Sequence, residues 1–361
     1  MTDSIRTIAS NFQVDVRQWQ SFFEENGSRR KRLIAGYLHF IEEMASRGLP
    51  PIFEGSHLGK LLGTTPVEFG RLTSAPEHHY RSFTIPKRSG DERTILAPTP
   101  LLLHCQRWVD AFILRKFPTH SAAHGYVVGR SNITNARVHI GNAQILCLDI
   151  ANFFESVGVK KITEIFYEAG YPPNVAFLLA RLCSYMGHLP QGGASSPQLS
   201  NIVMRDFDAT MQTFAEKRGL RFSRYVDDIA LSGDRVSDQD IQAVEEALEE
   251  TGLTLNPHKI RFQRGRKKIV TGISIGSGRM LLPRELRRRF RNQAFLALKN
   301  LADAVDADPI ALERHLGRFA YWKSVEPDNK RVQMVFDRLN ELKNILVKRD
   351  TSLSDKDGFL S

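Results

Sequence analysis

The sequence contains few cysteines and no long apolar segment. Cys105, Cys147 and Cys183 are far apart among its 361 residues and lack the spacing of zinc ligands. Isolated cysteines are typical of a reducing compartment, and this spacing argues against a zinc module. No apolar run approaches the roughly 18 residues of a membrane-spanning helix, and the N-terminus has no charged-then-apolar signal. We therefore expect a cytoplasmic protein without a membrane partner.

The composition is that of a folded protein with excess positive charge in one stretch. Hydrophobic residues make up 42% and charged residues 25% of the chain, which is enough for a sizeable core in two or three subdomains. The formal net charge is +10, and residues 258–291 alone contain twelve Lys or Arg against one acid. Four arginines there follow the i, i+3, i+4, i+7 spacing of one helix face: Arg284, Arg287, Arg288 and Arg291. This stripe suits nucleic-acid phosphates, and the alternative is a solvated surface helix.

Two adjacent aspartates lie where a β-hairpin should turn. Residues 220–226 are predicted to form a strand and residues 229–233 its return, so Asp227 and Asp228 fall at the turn. Two like charges side by side repel each other and destabilise the hairpin unless a cation compensates them. The alternative is that Asp is simply a common turn residue.

A third carboxylate ends a buried strand upstream. Residues 143–150 are largely apolar, and Asp149 near their end is costly to bury unless it is paired or binds a metal. Together with Asp227 and Asp228 it would supply hard oxygen ligands for two Mg²⁺ ions. Two such ions, roughly 4 Å apart, can activate an attacking hydroxyl and stabilise a leaving pyrophosphate, which is the chemistry of a polymerase.

Three motifs in this order resemble those of reverse transcriptases. Residues 149–154 resemble a metal-binding motif of that family, residues 189–197 the loop before its nucleotide-pocket helix, and residues 225–228 (Tyr-Val-Asp-Asp) its signature. Two further runs, residues 135–139 and 270–272, resemble features of the bacterial retron branch. The chain is thus similar to retron-type reverse transcriptases.

The resemblance spans about residues 80–345 and implies an α+β, right-hand polymerase fold. Such a fold has fingers, a palm with an antiparallel sheet and a helical thumb, here after a helical N-terminal extension. The predicted boundaries are listed in chain order: 1–80 for the N-terminal region, 81–275 for fingers and palm, 276–349 for the thumb and 350–361 for a loose tail.

The resemblance also implies an active site. Asp149, Asp227 and Asp228 would be catalytic and, with Ile150, would form the site for two Mg²⁺ ions. Five residues would bind the nucleotide: Lys87, Arg93, Phe154, Gln191 and Lys259. For Lys87 and Arg93 the alternative is an ordinary surface charge.

Three of these predictions name a specific chemical role. Phe154 would lie under the incoming sugar and exclude a 2′-hydroxyl, and its alternative is a core phenylalanine. Lys259 would donate a proton to pyrophosphate or neutralise a phosphate. Gln191 would hydrogen-bond the sugar where glycines allow close approach. The chain has Ala194 where relatives commonly place proline, which predicts a less rigid loop.

Two other groups of residues are open between structural and nucleic-acid roles. Asn135 and His139, at i and i+4 of a predicted helix, share a face and could form a structural hydrogen-bond pair or contact RNA. Phe319, Tyr321 and Trp322 could stack on bases, but thumb core is the expected role for at least two of them.

The implied function is RNA-directed DNA synthesis. The enzyme would copy part of a structured noncoding RNA into single-stranded DNA that stays linked to that RNA. Its partners would be the RNA, the RNA–DNA product, deoxynucleotides and an effector protein of an antiphage defence system. The alternatives are another bacterial reverse transcriptase, of abortive-infection or intron type, and an inactive nucleic-acid-binding scaffold. The lack of a maturase or endonuclease extension after residue 350 and the retron-like runs count against the first alternative, and the intact carboxylates count against the second.

Overall fold

The computed structural model describes residues 14–26, 31–86, 92–302 and 309–357. These residues form α-helices and antiparallel sheets. The contacts divide the chain into two compact units. One unit comprises Met1–Val127, Asp149–Phe214 and Asp238–His258. The other comprises Val128–Leu148, Ala215–Ser237 and Lys259–Ser361.

The first unit is mainly helical. Its helices are α1 (Val16–Asn26), α2 (Lys31–Ser46), α3 (Gly55–Leu61), α4 (Pro66–Ser74), α5 (Pro100–Phe112), α7 (Phe153–Ser156), α8 (Val159–Glu168), α9 (Pro173–Leu182), α10 (Ser196–Val203), most of α11 (Arg205–Lys217) and α12 (Asp238–Glu249). The central helix is α9, which begins at a proline and packs against α3, α4, α5 and α8. It buries Val175, Leu179 and Leu182, which recur at helical spacing on one face.

The first unit also contains the predicted fingers hairpin. Strand β1 (Tyr80–Pro86) pairs antiparallel with β2 (Glu92–Pro98), from Tyr80 opposite Pro98 to Pro86 opposite Glu92. This hairpin lies at the start of the region predicted to form fingers and palm. Lys87, on the connecting segment, lies outside the described residues.

The second unit contains a four-stranded sheet. Its strands are β3 (Gln144–Asp149, of which Asp149 belongs to the first unit), β4 (Arg221–Tyr225), β5 (Asp228–Gly233) and β6 (Arg261–Arg264), in the order β4-β5-β3-β6. Strand β4 is antiparallel to β5, and β3 is antiparallel to β6. Asn142, two residues before β3, donates a hydrogen bond to Ser232 near the end of β5, so β3 and β5 also run in opposite directions. Leu148, the last residue of β3 within this unit, therefore lies toward the end of the sheet that carries the β4–β5 turn.

The rest of the second unit consists of a short helix, a small hairpin and the three C-terminal helices. These elements are α6 (Asn132–Val138), β7 (Ile269–Val270), β8 (Ile273–Ser274), α13 (Arg284–Ala302), α14 (Pro309–Val325) and α15 (Lys330–Asp357). Phe319 and Trp322 are buried in the core of this unit, as expected for at least two of the three thumb aromatics, whereas Tyr321 is partly buried.

The structure differs from the prediction at the C-terminal end of the described residues. The tail predicted to begin at residue 350 is helical to Asp357, because neither glycine nor proline interrupts α15 after Lys330. None of the helices in the described ranges combines the length and the apolar character that a membrane crossing requires.

Candidate active site

Asp227 lies on a two-residue turn that contains no glycine, and Asp228 directly follows that turn. Tyr225 is paired with Asp228, so Val226 and Asp227 form the turn and Asp228 begins β5. Val226 has a φ of 62°, in the left-handed region that β-branched residues rarely adopt. Turns of this length normally place glycine or asparagine there. The strain is therefore concentrated at the residue before the two carboxylates, as is common at functional sites.

A buried arginine holds the strained residue. Arg224 is fully buried, and its Nη1 donates a hydrogen bond of 2.9 Å to the carbonyl of Val226. A charged donor makes this bond stronger than a neutral one. Sequence reasoning did not find Arg224, although a charged residue among the buried positions of β4 was a usable signal.

The charge of Asp228 acts on neighbouring groups. Burial raises the pKa of the Cys147 thiol to about 11, and the negative charge of Asp228 adds a smaller increase. The pKa of Tyr225 is also raised, by burial first and by Tyr321 and Asp228 second. Both groups are therefore neutral at physiological pH, and neither adds negative charge beside the turn.

The backbone around Asp149 is fixed by a segment after α12. Asp149 ends β3 with 7% of its surface exposed, and its carbonyl accepts a 2.8 Å hydrogen bond from the amide of Asn256. Ile150 is buried and forms a bridge with Leu255, and the amide of Ala151 donates to the carbonyl of Thr254 at 2.9 Å. The predicted strand-end position of Asp149 is confirmed.

The chemistry of the donors suits Mg²⁺, which prefers carboxylate oxygens. Among the described residues, however, no three His, Cys, Asp or Glu side chains form a group that could hold a metal ion. The set of Asp149, Ile150, Asp227 and Asp228 therefore stays a prediction, which adjacent carboxylates at the turn and a buried strand-end carboxylate make chemically reasonable.

The loop that contains Gln191 lies against the second strand of the fingers hairpin. The carbonyl of Gln191 accepts a 2.8 Å hydrogen bond from the amide of Leu96. Gly192 has a φ of 122°, and a Cβ there would lie 2.6 Å from the carbonyl oxygen of Leu96. Glycine at this position is required by both the backbone conformation and the close approach. The sequence predicted that the glycines allow a nucleotide to come close. In the structure it is β2 that comes close to Gly192.

A buried glutamine on α5 supports the same loop. Gln106 is fully buried; its Oε1 accepts a 2.9 Å hydrogen bond from the amide of Ala194, and its Nε2 donates to the Tyr80 hydroxyl and to the Leu182 carbonyl. Proline at position 194 could not donate this bond. The alanine amide thus provides a contact that proline would lack, and the expectation that Ala194 makes the loop less rigid stays a prediction. Gln106 was missed, although a lone amide on the apolar face of α5 was a signal for it.

The other predicted nucleotide-site residues differ in exposure. Phe154 is 8% exposed and lies edge-to-face against Phe153, with ring centroids 5.5 Å apart. Arg93 on β2 is exposed, and so is Lys259, which ends a short 3₁₀ turn. Their contacts with a nucleotide stay predictions.

Asn135 and His139, predicted to bind nucleic acid, are both buried. Asn135 is 1% exposed and His139 is fully buried, and each is hydrogen-bonded within the protein. Of the two alternatives left open by the sequence, burial favours the structural hydrogen-bond role.

The predicted arginine stripe lies on a helix. Arg284, Arg288 and Arg291 are exposed on α13, whereas Arg287 is half-buried and its Nε has no hydrogen-bond partner. Phe290 on the same helix is in the core of the second unit. The helical spacing is confirmed, and phosphate binding stays a prediction.

The family model described as reverse transcriptase (RNA-dependent DNA polymerase) matches residues 85–279, more than half of the sequence. The chain belongs to the reverse transcriptase family. The right-hand polymerase fold implied by the motifs is thereby confirmed.

The curated relatives place this reverse transcriptase in the retron branch. It is 33% identical to the retron Mx65 reverse transcriptase of Myxococcus xanthus, over 69% of this chain and 62% of that protein. It is 31% identical to the retron Ec86 reverse transcriptase of Escherichia coli, over 68% of this chain and 78% of that protein. It is 29% identical to the retron Mx162 reverse transcriptase of M. xanthus, over 70% of this chain and 60% of that protein. The chain thus spans about 60% of the length of the two M. xanthus relatives.

We predict that Ala194→Pro destabilises the protein. The substitution removes the amide that satisfies the buried Oε1 of Gln106, so we expect the free energy of unfolding to fall by about 1–3 kcal/mol. Urea unfolding followed by circular dichroism measures this change. Ala194→Ser keeps the amide and serves as the matched control. Equal midpoints for the proline and serine variants would contradict the prediction.

Proposed function

We propose that this reverse transcriptase is an RNA-directed DNA polymerase that copies part of a structured noncoding RNA into single-stranded DNA. The single observation that carries the proposal is the Asp227–Asp228 pair on a strained turn, held by a buried arginine, in a chain of this family. A turn fixed in this way holds two carboxylates at defined positions despite their mutual repulsion.

The proposed metal site consists of the catalytic residues Asp149, Asp227 and Asp228, with Ile150. When bound there, two Mg²⁺ ions would lower the pKa of the attacking hydroxyl and stabilise the negative charge of the leaving pyrophosphate. The contribution of the chain is to hold the carboxylates before the ions arrive. Strand pairing, the Arg224–Val226 hydrogen bond and the Asn256–Asp149 hydrogen bond support that role.

The proposed nucleotide site combines residues from several elements. Gln191 would contact the sugar from a loop supported by β2 and Gln106. Phe154 would occupy the space of a 2′-hydroxyl, so that ribonucleotides are rejected by steric overlap. Lys87 and Arg93 would bind the triphosphate from the fingers hairpin, and Lys259 would protonate or neutralise the pyrophosphate.

The proposed nucleic-acid surface is the arginine stripe of α13: Arg284, Arg287, Arg288 and Arg291. Each phosphate contact would release counterions and add affinity without sequence specificity. Arg284, Arg288 and Arg291 are exposed and accessible to a phosphate, whereas Arg287 is half-buried. The predicted fingers and palm (81–275) and thumb (276–349) would enclose the RNA template and the growing DNA.

The proposed biological context rests on the retron names of the relatives. By this proposal the DNA product stays linked to its RNA, and the complex acts in the cytoplasm with an effector protein in defence against phage.

We predict that Asp227→Asn abolishes DNA synthesis without loss of RNA binding. Loss of one carboxylate ligand should lower the rate of nucleotide addition by more than about 100-fold, because metal-dependent charge stabilisation is lost. The RNA affinity at fixed salt should stay within about twofold of wild type, since phosphate contacts dominate it. Primer extension and fluorescence anisotropy measure the two quantities.

The matched control for this variant is Asp234→Asn, which makes the same charge change at an exposed position just after β5. It should extend primers at the wild-type rate. Equal synthesis by Asp227→Asn and Asp234→Asn would contradict the proposed catalytic role.

We predict that Phe154→Ala admits ribonucleotides. The ratio of kcat/KM for a deoxynucleotide to that for its ribonucleotide should fall by about tenfold or more, because the steric exclusion of the 2′-hydroxyl is removed. Single-nucleotide incorporation measures this ratio, which does not depend on the folded fraction of the variant. Phe153→Ala removes a neighbouring buried ring and should leave the ratio unchanged. An unchanged ratio in Phe154→Ala would refute the proposed role of Phe154 in excluding ribonucleotides.

We predict that the protein purified from its native locus carries an RNA–DNA conjugate. The nucleic acid is stripped of protein and run on a denaturing gel after RNase, DNase or no treatment. A discrete species that shortens with RNase and loses its DNA with DNase supports the retron proposal. RNA alone, with synthesis only on an added primer and template, would contradict linked DNA while leaving the polymerase activity intact.

A further inference from the structure

One end of the short helix α6 is hydrogen-bonded to the turn between β7 and β8. The Thr271 hydroxyl donates a 3.2 Å hydrogen bond to the carbonyl of Asn132, and the Asn132 side chain donates to the carbonyl of Thr271 at the same distance. The Asn135 side chain donates to the Thr271 hydroxyl at 3.4 Å. Thus the two retron-like runs of the sequence are in direct contact.

The contacted turn is itself strained. Thr271 and Gly272 have φ values of 44° and 81°, so both central residues are left-handed. Glycine adopts this conformation freely, whereas a β-branched residue does so at a cost. The hydrogen bonds from α6 therefore stabilise a conformation that Thr271 alone would not favour. Asn132 also donates a 2.8 Å hydrogen bond to the Tyr321 hydroxyl on α14.

The other end of α6 is hydrogen-bonded to the hairpin that carries Asp227 and Asp228. His139, fully buried at the end of α6, lies 2.7 Å from the Ser223 hydroxyl through Nε2 and 2.6 Å from the Ser232 hydroxyl through Nδ1. Ser223 is on β4 and Ser232 is on β5, so one imidazole joins both strands. A second hydrogen bond joins the same end of α6 to β4: Arg221 donates to the carbonyl of Val138 at 2.9 Å.

The positions of the two serines are symmetric about the aspartates. Ser223 precedes Asp227 by four residues, and Ser232 follows Asp228 by four residues. A neutral imidazole has one donor and one acceptor, and a hydroxyl can play either part, so both hydrogen bonds are satisfied in either tautomer. The imidazole therefore fixes the two strands relative to each other below the turn.

We propose that α6 is a positioning bracket: His139 sets the β4–β5 hairpin, and Asn132 and Asn135 set the β7–β8 turn, so that one rigid helix fixes both. The catalytic part of this inference rests on the proposed polymerase function. His139 is a positioning residue, which acts through the hairpin and touches neither nucleotide nor nucleic acid. Its burial removes it from any RNA contact, and its bonds to serines on two strands give it the means to hold the aspartates in place.

The test compares His139→Ala with His139→Gln in the full-length protein. Alanine removes both imidazole hydrogen bonds to the serines, whereas the glutamine amide keeps a donor and an acceptor. We expect the alanine variant to add nucleotides roughly 10- to 100-fold more slowly per active molecule, because displacements of about 1 Å have such effects on rate. Active-site titration corrects for the folded fraction. We expect the glutamine variant to recover part of the loss and both variants to bind primer–template like wild type.

Hydrogen exchange measured by mass spectrometry provides a readout that does not depend on activity. We expect amides of residues 221–233 to exchange faster in His139→Ala, with the change smaller in His139→Gln. The control is Thr65→Ala, which removes the N-terminal capping box of α4 and so destabilises the protein without touching the hairpin. It should change neither the exchange of residues 221–233 nor the rate per active molecule.

The possible outcomes distinguish a failure of the bracket proposal from a failure of the proposed function. Unchanged hairpin exchange in His139→Ala would overturn the bracket, whatever the activity. A rate per active molecule equal to wild type would also overturn the positioning role, since loss of stability alone lowers only the active fraction. Faster hairpin exchange in a protein whose wild type adds no nucleotide would support the bracket and refute the polymerase proposal.

Discussion

A valine in the left-handed region, directly before two neighbouring carboxylates, is an unfavourable local arrangement. Neither the backbone of Val226 nor the charges of Asp227 and Asp228 favour this turn by themselves. It persists because the surrounding structure fixes it: β4 and β5 pair up to Tyr225 and Asp228, and the buried Arg224 binds the carbonyl of Val226. A turn that is held in this way fixes the positions of the two carboxylates.

Buried polar side chains provide most of the positioning in both units. In the first unit, Gln106 uses its amide to join the Ala194 loop, the Tyr80 hydroxyl and the Leu182 carbonyl. In the second, His139 uses both ring nitrogens on the hairpin serines. An apolar side chain of the same size would fill the space but could not specify these distances, because only hydrogen bonds are directional. Removal of either side chain leaves buried partners unsatisfied, which is why we expect these sites to tolerate few substitutions.

The positive charge of the chain is divided between surface and structural roles. Most of the twelve basic residues between positions 258 and 291 are exposed, and the arginines of α13 are suited to phosphates. Lys268 is an exception, since it is buried and its Nζ donates hydrogen bonds to the carbonyls of Asn142 and Ala143 before β3. A local charge count therefore overestimates the surface that nucleic acid can use.

The sequence by itself determined the features that depend on local patterns. Alternating and apolar runs predicted β3, β4 and β5, helical spacing predicted the arginine stripe, and the order of three motifs predicted the family. Only the tertiary structure decided which role buried polar residues have. The burial of His139, the hydrogen bond from Ala194 to Gln106 and the contact of Arg224 with Val226 became visible only there. His139 and Ala194 have partners about 90 residues away along the chain, and Arg224 depends on the fold that buries it. Local periodicity carries no information about such partners, because they are brought together by the packing of whole elements.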